Sequence, residues 1–108
     1  MGVTKSNLFS ERQNELAKIA KVLAHPARIA ILEHLVTANA CINGDLVQEL
    51  GLAQATISQH LRELKEVGII QGSIEGASIS YCINPVKWNE IKGLLTAFMD
   101  TYQGGSCC

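Results

Sequence analysis

Residues 45–70 read DLVQELGLAQATISQHLRELKEVGII, and the order of residue types in this stretch decides the fold. Asp45 to Leu50 fits a brief helix, and Gly51 suits the left-handed backbone that ends one. From Gln54 to Val67 the apolar residues Ile57, Leu61 and Leu64 recur at i, i+4 and i+7, so one side of a longer helix is buried, and Gly68 closes it. Two helices joined by a tight turn make a helix-turn-helix. Its first helix braces on the DNA backbone and its second lies in the major groove.

The stripe Ile57, Leu61 and Leu64 fixes the inward direction. A turn of about 100° per residue then points Ala55, Ser58, Gln59 and Arg62 outward, with Gln54 on the border. Gln pairs bidentately with adenine, Ser donates or accepts, Ala touches a thymine methyl and Arg binds guanine or phosphate. These side chains are also ordinary solvent-facing residues, and it is the helix-turn-helix spacing that favours DNA. Thr56 and His60 complete the candidate DNA-contacting set. His60 sits beside the core stripe, where a histidine packs between helices or contacts phosphate more readily than it ligates a metal.

Outward from this centre, Ser10 and Gln13 fit a capping box, followed by Leu16, Ile19, Ala20 and Leu23 at helical spacing. His25-Pro26 opens another helix to about Thr37, with Ile29, Leu32 and Val36 as its buried stripe. Asn39, Asn43 and Gly44 mark a polar break. After Gly68, the β-branched runs Ile69–Ile74 and Ala77–Ile83 flank Glu75-Gly76, a hairpin turn, and Asn84-Pro85 caps a last helix carrying Trp88, Ile91, Leu95, Phe98 and Tyr102. The expectation is a mainly α chain with a small β-hairpin: a winged helix-turn-helix of five helices and a two-stranded wing over residues 10–102. A flexible lead, 1–9, precedes it, and a cysteine-containing tail, 103–108, follows. The wing tip, residues 73–78, has no Lys or Arg and so gains little from phosphate.

Two segments carry a family likeness. LAHPARIAILEHL at 23–35 resembles the opening helix motif, and residues 45–70 resemble the helix-turn-helix, of the arsenic-repressor (ArsR/SmtB) family of winged-helix transcription regulators. The likeness spans about residues 15–103. It implies a homodimer, paired through its first and last helices, that represses a promoter on double-stranded operator DNA until an inducer binds. The family's base-contacting positions fall on Gln54, Ala55, Ser58 and Gln59. The stripes Leu16-Ile19-Leu23 and Trp88-Ile91-Leu95-Phe98 suit such an interface and equally suit an intrachain core. Ala53 stands where a Ser or Thr cap is usual, a loss of about 1 kcal/mol.

Charge and composition narrow the function. Nine Lys+Arg against ten Asp+Glu, for a net charge of −1, give no global field toward nucleic acid or membrane, so any DNA binding is local. No apolar run reaches the roughly 18 residues of a spanning helix, and the opening MGVTKSNLFSERQ lacks the h-region of a signal peptide, so a cytoplasmic protein with no membrane partner is expected. MGVTKS fits the loose myristoylation pattern, which chance also produces often. There is no cofactor-binding glycine motif and no CxxC, so the chain reads as no enzyme.

The cysteines are Cys41, Cys82, Cys107 and Cys108. From Pro85 to Tyr102 there is no histidine, and the acids are Glu90 and Asp100, so the family's zinc site on the last helix has no ligand set. The family's arsenic site resembles Cys-Val-Cys-Asp-Leu-Cys, whereas this chain has Cys41-Ile42-Asn43-Gly44-Asp45-Leu46, with a single thiol. The remaining set is Cys107 and Cys108 with Cys82 or Cys41, three sulfurs that suit trivalent arsenic or antimony as inducer; no obligatory cofactor is expected. Strand alternation puts Cys82 on the face away from Ile79, Tyr81 and Ile83. Two other uses stay open: an oxidation or persulfide switch, or small apolar residues and an exposed end. Three functions follow: a metalloid-released repressor, a repressor switched by thiol oxidation or persulfidation, and a winged-helix protein-interaction module that does not touch DNA.

Overall fold

The computed structural model describes residues 7–43, 50–73 and 79–105. Helix α1, Glu11–Leu23, opens on the expected capping box: the Gln13 amide donates to Ser10 Oγ and the Ser10 amide to Gln13 Oε1, both at 3.0 Å. Helix α2, Pro26–Ala38, begins with Pro in its first turn and is capped by His25, whose Nδ1 accepts the Ala27 N–H at 3.1 Å. Asn39, at φ 51°, ends it in the left-handed region.

The buried face of α2 differs from the expected one. Ile31, Leu32 and Leu35 are buried, whereas Ile29 and Val36 are 40% and 51% exposed. The helix is apolar on nearly every side, so spacing alone does not choose its inward face.

The polar break holds a strand that the sequence did not suggest. β1, Ile42–Asn43, pairs antiparallel with a later strand and makes the sheet three-stranded. The wing strands are β2, Ile70–Ser73, and β3, Ser80–Ile83, in the order β1-β3-β2. Two residues are too short to show an alternation, which is why β1 left no sequence signal.

Helix α3, Gln54–Glu66, lies between β1 and β2 in the chain, and helix α4, Pro85–Met99, ends it. Asn84 caps α4 through Oδ1, which accepts from Val86 and Lys87 at 3.1 and 3.2 Å. α4 stops before Tyr102, which is 76% exposed. Among the described residues there are thus four helices, not five. The expected brief helix over 45–50, the hairpin turn Glu75-Gly76 and the pair Cys107 and Cys108 lie outside them, apart from Leu50, which is helical.

One core joins every element. Ile19 and Val22 of α1, Ile31, Leu32 and Leu35 of α2, Ile57, Leu61 and Leu64 of α3, Ile69, Ile70 and Tyr81 around the sheet, and Ile91 of α4 form it. Full burial of such an aliphatic side chain contributes about 1.5–3 kcal/mol, so α3 is fixed by its apolar face. Ile19 and Ile91, from the two stripes that suited an interface and an intrachain core equally, are buried inside the chain. No described helix is long and apolar enough to cross a membrane.

Candidate nucleic-acid interface and thiol pair

With Ile57, Leu61 and Leu64 at 0%, 2% and 0% exposure, the opposite side of α3 faces solvent. Gln54, Ala55, Thr56, Gln59 and Arg62 are exposed there and Ser58 is half-buried at its edge. The polar members form a row. Gln54 Nε2 donates to Ser58 Oγ at 3.4 Å, Arg62 Nη2 to Gln59 Oε1 at 3.1 Å, and Gln59 Nε2 to Glu63 Oε2 at 3.0 Å. The row is therefore preordered, and its donors would exchange these partners on meeting a base edge. Ala53 makes no side-chain cap bond, as its methyl group dictates.

His60 is a correction to the candidate set. It is 6% exposed and faces inward, where its Nδ1 accepts from Arg28 Nε at 3.0 Å. It follows that His60 does not belong to the solvent-facing row. One residue before Leu61, a histidine lies close enough to the apolar stripe to be drawn into the core once a donor awaits it.

Cys41 and Cys82 meet. Ile42 opposes Tyr81 and Asn43 opposes Ser80, so one step back along the antiparallel ladder Cys41 stands across from Cys82. Cys41 is exposed, Cys82 is partly buried, and both line a cleft of about 450 Å³ with Leu35, Val36 and Trp88. A hydrogen bond to the Cys82 thiol pushes the Cys41 thiol above its ordinary range, with desolvation and the charge of Cys82 adding to the effect. Among the described residues no cluster of three or more His, Cys, Asp or Glu could hold a metal, so the described part of the thiol set is this pair.

Residues 25–71 match the sequence profile described as bacterial regulatory protein, arsR family. The biofilm growth-associated repressor of Xylella fastidiosa (strain Temecula1 / ATCC 700964) is 34% identical over 91 residues, covering 83% of this chain and 79% of that one. The chain belongs to the ArsR family. Two solved relatives share the ArsR-family architecture at 28% identity: Rv0081 of M. tuberculosis, with a TM-score of 0.62 over 86% of this chain and 94% of that one, and the transcriptional repressor BigR from Xylella fastidiosa, with a TM-score of 0.57 over 88% and 94%. The ArsR-family relatives are transcriptional regulators, a class that is not enzymatic.

Proposed function

We propose that this ArsR-family chain is a sequence-specific repressor that reads operator DNA with the exposed row of α3 and is released through its thiols. The observation that carries the DNA reading is the division of α3: a wholly buried apolar stripe backing a solvent-facing run of Gln, Ser, Thr and Arg. Such a helix is rigid where it must be and chemically varied where it meets bases. The protein acts as a homodimer, since one α3 covers only one half-site. Fluorescence anisotropy on duplex DNA from its own promoter is the test. Affinity that falls steeply as salt rises supports the reading, and salt-independent or absent binding points to an interaction module.

The inducer we propose is trivalent arsenic or antimony, held by Cys41 and Cys82 with a third sulfur from Cys107 or Cys108. Soft thiolates select thiophilic ions, and the cross-strand pair supports the reading by bringing two of the sulfurs together. Each thiol proton leaves with a hydroxyl of arsenous acid as water, so binding releases no net proton: arsenite affinity should stay level while the thiols are protonated and fall once they ionise, a point that the raised Cys41 pKa moves to higher pH. Arsenite is expected to release wild-type protein from DNA, and replacing Cys107 and Cys108 by Ser should abolish that release without weakening DNA binding. Retained release in the double variant would show that Cys41 and Cys82 hold the ion without a tail sulfur. The meeting of two thiols also favours a second reading, a disulfide between Cys41 and Cys82 formed by peroxide, or a persulfide on either thiol formed by polysulfide, which mass spectrometry after each treatment would detect.

A further inference from the structure

The contact that removes His60 from the DNA-facing row gives it another role. We propose that Arg28 and His60, with His25 behind them, form a latch that sets the presentation of α3, and that the latch closes only while the His60 ring is neutral. The proposal rests on the reading of α3 as the DNA-facing helix.

One guanidinium ties three helices together. Arg28, on α2, donates through Nε to His60 Nδ1 on α3 at 3.0 Å and through Nη1 to the Val22 carbonyl of α1 at 3.1 Å. The His25 ring packs on His60 with centroids 4.3 Å apart and planes at 58°. His25 is itself pinned, because its Nδ1 accepts the Ala27 N–H at the start of α2. His60 follows Gln59 directly and Ser58 by two, so the turn that carries the base-reading side chains is the turn the latch holds.

Protonation opposes this arrangement in two ways. A proton on Nδ1 turns the acceptor into a donor aimed at an N–H, and it sets an imidazolium beside a guanidinium that is always charged. The surroundings offer partial relief. Lys18 and Lys21 of α1, His25 capping α2, Arg28 of α2, and Glu63 and Glu66 of α3 line the adjoining cleft of about 370 Å³. Desolvation lowers the His60 pKa below the ordinary histidine value, the charges of His25 and Arg28 lower it further, and Glu63 acts in the opposite direction.

The sign of the effect separates the latch from general electrostatics. Protonating any of the three histidines adds positive charge, which by itself strengthens binding to a polyanion. Weaker binding in acid is thus the mark of the latch.

The test uses the full chain and a DNA duplex selected from a random pool at pH 7.5, with affinity followed down to pH 5.5 at fixed ionic strength. The wild type is expected to lose about tenfold in affinity, a fold-change within the ordinary range of coupling between two sites. His60→Asn keeps an acceptor oxygen near the place of Nδ1 and has no titrating proton, so its affinity should stay constant or rise in acid. His60→Ala should bind weakly at every pH. An Asn variant that follows the wild-type curve overturns the proposal. Should the Asn variant not fold, Arg28→Gln serves: it removes a neighbouring charge, so the His60 titration must move upward, and an unmoved titration overturns the proposal. A second readout needs no DNA. In NMR, the Ser58 and Gln59 amide signals should titrate together with the His60 ring; amides that ignore the ring overturn the latch. If no duplex binds at any pH, the DNA reading has failed and the amide titration still decides the latch.

Discussion

Gly72 shows how one residue constrains the wing. Its φ of 120° is closed to most side chains, and a Cβ placed there would fall on the Ser80 carbonyl oxygen and within 2.9 Å of Tyr81 Cα. Both obstacles are backbone of the paired strand β3, so neither rotates away. Gly72→Ala is therefore expected to cost more than about 1 kcal/mol, measured as a lower urea midpoint, with the β2–β3 pairing as the part that gives. His60 adds a residue-scale dependence on pH. Its folded pKa is depressed, so the unfolded chain binds the proton more tightly. Its contribution to stability is full above about pH 6.5, the unfolded histidine value, and is lost as pH falls through the lowered folded value. The thermal midpoint should fall over that window in the wild type, and this part of the fall should vanish in His60→Asn. Local features such as the Ser10 capping box and the Asn84 cap were legible in the sequence because they join neighbours. The Arg28–His60 bond joins residues 32 apart, and periodicity carries no information on which side chains meet across that distance.

At the scale of the element, α3 and α2 make an instructive pair. α3 is apolar on one side alone, so its burial and its outward row were readable before any coordinates. α2 is apolar on most sides, and its expected stripe took Ile29 and Val36 in place of Ile31 and Leu35. The thiol pair was unreadable for a related reason, since it depends on the two-residue β1 and its register. The exposed row of α3 makes its own prediction. Ser58→Ala and Gln59→Ala should each weaken operator binding by about 1–3 kcal/mol while leaving the urea midpoint unchanged within about 0.5 kcal/mol, because neither side chain supports the core. Gln59→Ala also frees Glu63 and Arg62 from their bonds to it, so its effect should depend on salt more than that of Ser58→Ala. Unchanged affinity in both variants would mean that another face of the molecule meets DNA.

At the scale of the whole molecule, the proposed dimer can be tested on the surface that the single chain leaves exposed. Its radius of gyration is 16.4 Å, against about 13 Å for a compact domain of this length. Large apolar side chains stay exposed on the helices that frame it: Leu8 and Phe9 just before α1, Ile29 and Val36 on α2, and Val86, Phe98 and Met99 on α4. Between α1, α2 and α4 runs an apolar cleft of about 850 Å³ that includes Leu23, Ile29, Val36, Trp88 and Leu95. A soluble monomer seldom leaves so much apolar surface to water, and the self-complementary solution is a two-fold dimer. Two copies joined there would hold their α3 helices for half-sites about 34 Å apart. Phe98→Glu tests this cleanly, because the side chain is 50% exposed and its loss leaves the core intact. In sedimentation the wild type should run at about twice the 11.7 kDa chain mass and the variant at the single mass. The variant should retain its helical circular dichroism yet bind a palindromic duplex about 10²-fold more weakly or worse, since joining two half-site contacts multiplies affinity by 10²–10⁴. A wild type that sediments as a monomer at micromolar concentration, or a Phe98→Glu dimer, would show that this apolar surface is not where the copies pair.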